Sequence, residues 1–297
     1  MRNRMLIWLL LGGGAFLLLA VTLVAIVLTF NGQDTGDFTF SDRIQVVEVE
    51  GELLDSQPII EQLKKYEDSD SVKAILLNVD SPGGGVAVSQ EIYAEIKRLR
   101  EKKDKTVVAY LSSTGASGAY YLSCAANKIV ANPGTIVGSI GVIAEWVNYA
   151  DLLEWAKVKD VVFKTGEFKD TGSPTRALTD NERKYFQGLI DDMYVQFLEA
   201  VASGRKLDLQ EVRSIADGRV FTGRDAKERK LVDEIGNFQD AVDITAKLAG
   251  ISGKPHLLRL TRRRVTLLDV LTTDLSRLVP FNGQSMKSQI KFQYLWK

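Results

Sequence analysis

The sequence predicts an α/β domain whose strands pair mostly in parallel, and three observations carry that prediction. Strand-length apolar runs, Ile44–Glu50, Val72–Val79, Thr106–Leu111 and Lys128–Ala131, alternate with segments of helical periodicity, the pattern of repeated strand–helix units. Two of those runs pass straight into turns of small residues, Asp80-Ser81-Pro82-Gly83-Gly84-Gly85 and Ser112-Ser113-Thr114-Gly115-Ala116, before a helix begins. The 297 residues are 45% hydrophobic and 26% charged, ordinary values for a folded domain of this size.

The chain opens with Arg2 and Arg4, followed by 26 uncharged residues, Met5–Phe30. As a helix that run is about 39 Å long, enough to cross a hydrocarbon core of about 30 Å with some tilt. Positive residues before it, and Asp34 and Asp37 after it, place the N-terminus in the cytoplasm and the rest of the chain outside. A cleaved signal peptide has an apolar region of only about 7–15 residues and a small-x-small site. Here the run ends in Val27-Leu28-Thr29-Phe30, so an uncleaved signal anchor in the cell membrane is expected over residues 1–30. A polar linker rich in Gly, Asp and Thr follows over 31–42.

The expected folded domain covers 43–253. After the strand Ile44–Glu50 comes an amphipathic helix, Pro58–Tyr66. The strand Val72–Val79 leads through the triple glycine into the helix Val86–Arg100. The strand Thr106–Leu111 leads into a helix from about Ser117. Gly134–Ile143 is apolar and punctuated by glycine. Asn148–Lys157 reads as a helix, Val161–Lys164 as extended, and Lys164–Thr175 as a polar loop. Thr179-x-x-Glu182 is a capping box that opens a long helix, ended by Gly204, and Asp208-x-x-Glu211 opens another. Asp217–Gly223 and Leu231–Gly236 read as turn and strand, Phe238–Gly250 as a last helix. Residues 254–297 form a tail of different character: Arg262-Arg263-Arg264, an amphipathic stretch Val265–Val279, and a basic, aromatic end.

Composition excludes several functions. Lys plus Arg and Asp plus Glu both number 38, so there is no electrostatic case for nucleic acid as a partner. A single cysteine, Cys124, excludes an internal disulfide, and with a single histidine, His256, it cannot build the usual zinc site. No metal or other cofactor is expected. Cys124 reads as a small core residue. Trp146, Tyr149 and Trp155 read as core or subunit-contact residues.

Ser117 stands at a strand-to-helix turn, where free backbone N–H groups favour negative charge. That is a place for the oxyanion of an acyl transfer. Taken alone, the stretch reads as readily as a tight turn that lets a helix pack on a sheet. The glycines at 83–85 lack the Lys-Ser/Thr of a phosphate loop. They offer N–H groups without steric bulk, and together with Ser117-Gly118 could supply both donors of an oxyanion hole. A serine nucleophile needs a base. His256 stands beside a proline and a basic run, beyond the expected domain. A lysine base must be neutral, which takes burial away from charge. The residues alone do not single out which lysine.

The stretches Asn78–Gly85 (NVDSPGGG), Ala116–Ser123 (ASGAYYLS), Gly138–Val142 (GSIGV), Phe168–Pro174 (FKDTGSP), Ala216–Gly223 (ADGRVFTG) and Leu231–Gly236 (LVDEIG) together resemble the signal peptide peptidase A family. These are membrane-anchored Ser-Lys proteases of peptidase family S49, related in fold to Clp protease and the crotonases. The resemblance spans about Ile44 to Gly250. It implies a superhelix of repeated β-β-α units, with Ser117 as nucleophile and Lys169 as general base. It further implies Gly84 and Gly118 as oxyanion-hole donors, and Ser139 holding the lysine. The implied substrates are peptides, chiefly remnant signal peptides and also misfolded membrane or secreted proteins. The implied assembly is a homo-oligomeric ring, an octamer, in which neighbouring subunits share each site. Two other readings are a crotonase-like acyl-CoA enzyme and a non-catalytic membrane scaffold of the same fold.

Overall fold

The structure, a computed structural model, describes residues 19, 21–22, 42–259 and 291–296. The chain divides into two units, Met1–Phe40 and Ser41–Lys297. Leu19, Val21 and Thr22 are helical. The rest of the expected anchor, the linker 31–41 and the amphipathic stretch 265–279 lie outside the described residues. Among the described residues no helix is long and apolar enough to cross a membrane.

In the second unit the strands are β1 (Arg43–Glu50), β2 (Val72–Ser81), β3 (Gly83–Gly85), β4 (Thr106–Ala116), β5 (Lys128–Ala131), β6 (Ile136–Gly138), β7 (Ile143–Glu145), β8 (Val220–Thr222), β9 (Glu234–Ile235), β10 (His256–Arg259) and β11 (Lys291–Leu295). The helices are α1 (Gln57–Lys64), α2 (Val86–Lys102), α3 (Gly118–Ser123), α4 (Ala150–Trp155), α5 (Asp180–Arg205), α6 (Leu209–Ile215), α7 (Gly223–Glu228) and α8 (Phe238–Leu248), with a 3-10 turn at Glu167–Asp170.

The main sheet runs β10-β1-β2-β4-β5-β9, every pair parallel. Its core strands are covered on both faces. Ile75, Leu77 and Val79 of β2 join Val107, Ala109 and Leu111 of β4 under α1, α2, α3 and α5. Ala74 and Leu76 join Val108, Tyr110 and Val130 under α8. Successive side chains point to opposite faces, so a strand apolar on both faces reads as an unbroken apolar run. That is why Val72–Val79 was legible as a strand. β6 extends the end of β4 in parallel and pairs with β8 antiparallel. A second, three-stranded antiparallel sheet has the order β3-β11-β7.

Several expectations meet corrections. The capping box at Thr179 and Glu182 forms, but α5 does not stop at Gly204. It ends one turn-residue later, with Lys206 in the left-handed region at φ 55°. Gly204 instead serves packing: a Cβ there would lie 2.2 Å from the Cys124 carbonyl oxygen. Asp208 opens α6 as expected, and caps it by accepting from the Gln210 N–H. The helix expected over 148–157 shrinks to Ala150–Trp155, and 161–164 forms no strand. Cys124 is buried, 1% exposed. Trp155 is 79% exposed, so a core role for it is excluded. The tail is the largest revision. Its described parts belong to the folded unit: β10 lies on the outer edge of β1, and β11 threads between β3 and β7 with Tyr294 fully buried.

Candidate active site

Ser117 joins β4 to α3 with φ 53° and ψ −120°. A non-glycine residue there carries strain of about 1–3 kcal/mol, which the surroundings must hold in place. They do so through the backbone. The Ser117 N–H donates to the Gly138 carbonyl at 2.7 Å, and its carbonyl accepts from the Tyr121 N–H at 2.8 Å. The hydroxyl is buried and has no hydrogen-bond partner among the described residues. A strained, buried and unpartnered hydroxyl makes a poor structural device and a suitable nucleophile.

The glycine turn stands against it. The Leu53 N–H donates to the Gly83 carbonyl at 2.8 Å, and the Gly85 N–H donates to the Leu53 carbonyl at 2.9 Å. Neighbouring residues of a strand aim their polar groups to opposite sides, so the Gly84 N–H faces away from Leu53, toward Gly118 and β11. The site of a Cβ on Gly118 lies 3.2 Å from the Gly84 nitrogen. A Cβ on Gly83 would stand 2.6 Å from the Gly118 nitrogen and 3.1 Å from Ser117 Cβ. Only glycine permits this approach. The two N–H groups that the sequence suggested as a pair therefore border one small space beside Ser117. Ser81, for which the sequence alone suggests no role, orients the turn: its hydroxyl donates to the Gly51 carbonyl at 2.6 Å and accepts from the Gly83 N–H at 3.1 Å.

Ser139 lies on the next loop, 7% exposed, with φ 51° and its N–H donating to the Arg219 carbonyl at 2.9 Å. It lines a cavity of about 530 Å³ together with Ile140, Tyr194, Asp217, Gly218 and Trp296. Among the described residues no lysine or arginine lines that cavity.

Lys169 is not brought to Ser117 by any hydrogen bond. It sits on the 3-10 turn, exposed, and its side chain makes no hydrogen bond or ion pair among the described residues. Its arm, residues 146–178, is tied at its base. Arg176 donates to Asp170 at 2.8 Å and to Glu182 at 2.8 Å, and Lys164 pairs with Asp170. Arg176 holds both carboxyls below their usual range, Glu182 at about 2. Beyond that base the arm presents Phe163 at 96%, Val147 at 72% and Val161 at 71% exposure, besides Trp155. Large apolar side chains this exposed are uncommon on a lone soluble surface.

The tie has a pH consequence. A carboxyl whose folded pKa is depressed adds stability above its unfolded value and loses it as pH falls through the folded value. The arm is therefore expected to stay ordered down to pH ~4 and to loosen between there and about 2, read by amide exchange over 164–178. Arg176→Met, which leaves the 1%-exposed Glu182 unpaired, should loosen it at neutral pH by roughly tenfold in protection. The effect is held down because Arg176 itself is 31% exposed.

The layout, a strand-end serine facing a glycine strand in a mixed α/β sheet, is Clp protease-like, and the Clp protease family pattern matches residues 33–135. The pattern described as Peptidase family S49 matches residues 99–252. The chain belongs to peptidase family S49. It is 39% identical over 222 residues to a protein of Enterococcus faecium named "Putative signal peptide peptidase SppA", covering 74% of this chain and 62% of that one. It is 43% identical over 211 residues to "Putative protease slr0021" of Synechocystis sp., covering 70% and 75%. It is 33% identical over 225 residues to "Serine protease SPPA, chloroplastic" of Arabidopsis thaliana, covering 75% and 33%. The match thus spans about three fifths, three quarters and one third of these relatives.

Proposed function

We propose that this chain is a membrane-anchored serine endopeptidase that cuts extended apolar peptides, remnant signal peptides among them, outside the cytoplasm. Ser117 is the nucleophile, and that role rests chiefly on its strained, buried and unpartnered hydroxyl. The Gly84 and Gly118 N–H groups hold the tetrahedral oxyanion, in a space that tolerates no Cβ. Lys169 is the general base and Ser139 its hydrogen-bond partner.

In this reading a second copy of the chain supplies Lys169. The cavity beside Ser139 is open and has no basic residue among the described residues that line it, while Lys169 is held out on an arm with exposed apolar side chains. Docking the arm against a neighbour would bury both the apolar surface and the lysine, and burial disfavours the charged form as a base requires. Repeating that contact closes a ring, an octamer. Residues 5–30 anchor it.

A fluorophosphonate probe tests the reading on the full chain in detergent: it should label one serine, Ser117, and labelling should vanish in Ser117→Ala. Labelling elsewhere, or none, overturns it. Gly84→Ala would place a Cβ 2.3 Å from the Leu53 carbonyl oxygen. It should lower kcat about a hundredfold by displacing one oxyanion donor, and should lower stability by roughly 1–3 kcal/mol through the backbone clash. Peptide hydrolysis and thermal unfolding measure the two effects separately.

A further inference from the structure

Lys169 stands on a turn whose other residues are all tied down. The 3-10 turn runs Glu167–Asp170. The Glu167 carboxylate accepts from Asn181 Nδ2 at 3.0 Å, and its carbonyl accepts from Lys164 Nζ at 3.0 Å. The Phe168 ring packs on Tyr185, with centroids 5.2 Å apart. Arg176 donates to the Asp170 carboxylate through Nε at 2.9 Å and Nη2 at 2.8 Å, and to the Asp170 carbonyl at 3.2 Å. Between these fixed neighbours the amine of Lys169 is left free.

The ties converge on Glu182, 1% exposed in the first turn of α5. A capping box asks one bond of that carboxylate, from the N-cap N–H, and the Thr179 N–H makes it at 2.9 Å. The carboxylate also accepts from Thr171 Oγ1 at 3.2 Å, from Arg176 Nη1 at 2.8 Å and from Arg176 Nη2. Burying a carboxylate is unfavourable unless it is paired and its oxygens are bonded, so a helix start that needed only a cap would leave it in water. Arg176 uses its planar fork to grip two carboxylates at once, Asp170 on the lysine turn and Glu182 on the helix. A lysine, with its single point charge, has no such fork. α5 is seated in the core through Phe197, Leu198 and Val201. The backbone on the C-terminal side of Lys169 is thereby fixed to the core of its own chain through Asp170, Thr171, Arg176 and Glu182.

Resting on the reading of Lys169 as general base, we propose that Glu182, acting through Arg176 and Thr171, is the positioning residue for that base. A base must come within hydrogen-bond reach of the proton it takes, and a misplacement of about 1 Å can cost a hundredfold in rate. A lysine on a loose loop would have its backbone as well as its side chain to order at each turnover. With the turn pinned, only its own side-chain torsions remain. Glu182 therefore acts on kcat through the placement of Lys169 and leaves peptide binding alone.

The test is steady-state peptide hydrolysis, with thermal melting alongside, on the full chain in detergent. Glu182→Gln should lower kcat about tenfold and Glu182→Leu about a hundredfold, with KM within about twofold of wild type. Arg176→Lys should match Glu182→Gln, because it cannot hold both carboxylates. Thr179→Ala removes the hydroxyl that caps α5 but leaves the Glu182 carboxylate all its donors. It should lower the melting temperature and keep kcat within about twofold. Three results overturn the inference: an unchanged kcat in both Glu182 variants, a raised KM at unchanged kcat, or a Thr179→Ala loss of kcat as large as that of Glu182→Gln. The last would make the effect one of helix stability. None of these touches the assignment of the base. That assignment falls if Lys169→Ala keeps the wild-type kcat while Ser117 takes the fluorophosphonate, and the role of Glu182 falls with it. A Ser117 that takes no probe, in a protein that cuts no peptide, overturns the peptidase reading itself.

Discussion

Ser117→Ala is expected to lower peptide hydrolysis about a million-fold, to the background of the remaining binding groups, because loss of a nucleophile removes the covalent route altogether. It should do so without loss of stability. Among the described residues the hydroxyl has no partner to leave behind, and deleting a buried, unsatisfied polar group costs the fold nothing. The strain at φ 53° stays, since alanine meets the same clash as serine. Ser117→Gly separates the two effects. It should be just as inactive but more stable by about 1 kcal/mol, the relief of strain exceeding the entropy that glycine loses on folding. Inactivity, with Ser117→Gly melting above Ser117→Ala, would mark Ser117 as a residue held in strain for its chemistry. A Ser117→Ala protein that cuts at near the wild-type rate would remove the assignment.

Mixing Ser117→Ala with Lys169→Ala, each inactive alone, is expected to restore activity once subunits exchange. If the serine of one copy meets the lysine of the next, a mixed ring contains interfaces that pair an intact serine with an intact lysine. For random mixing of equal amounts, about one interface in four does so. The structural motive is the separation of the two groups. Ser117 is buried in the β4–α3 turn, whereas Lys169 is exposed on an arm that also displays Trp155, Val161 and Phe163. A lysine left in water keeps its proton at neutral pH and cannot accept another. Fluorescence transfer between labelled subunits must show that exchange occurs. Exchange with activity still at background would mean that each site is completed within one chain, and would reassign the apolar arm to another partner.

How much of this was legible beforehand differs from element to element. β2, β4 and β5 were readable because both their faces are buried, so local composition alone marks them. The capping box at Thr179 was readable because its two partners are three residues apart. The Ser117 turn and the glycine strand were each readable as local motifs, but their meeting was not. Ser117 and Gly84 are 33 positions apart in the sequence, and only the parallel pairing of β2 with β4 brings the two strand ends to one edge.

Local sequence alone specifies the α/β class, the order of the strands β1, β2, β4 and β5 and of the longer helices, and the small-residue turns that carry the candidate site, since these depend on periodicity, backbone freedom and neighbours within a few residues. Long-range packing instead makes Gly204 a packing glycine, leaves Trp155 and Phe163 of the arm at 146–178 in water, and returns the tail to the sheet. Tyr294 shows the reason most plainly. Lys291–Leu295 alternates polar and apolar residues, but where that short strand docks is decided by a glycine triplet more than 200 positions earlier, which leaves room for its backbone, and by an aromatic pocket from α2, α3 and α5 that accepts the ring. Contacts of that range depend on where distant elements come to rest, which no local window of sequence contains.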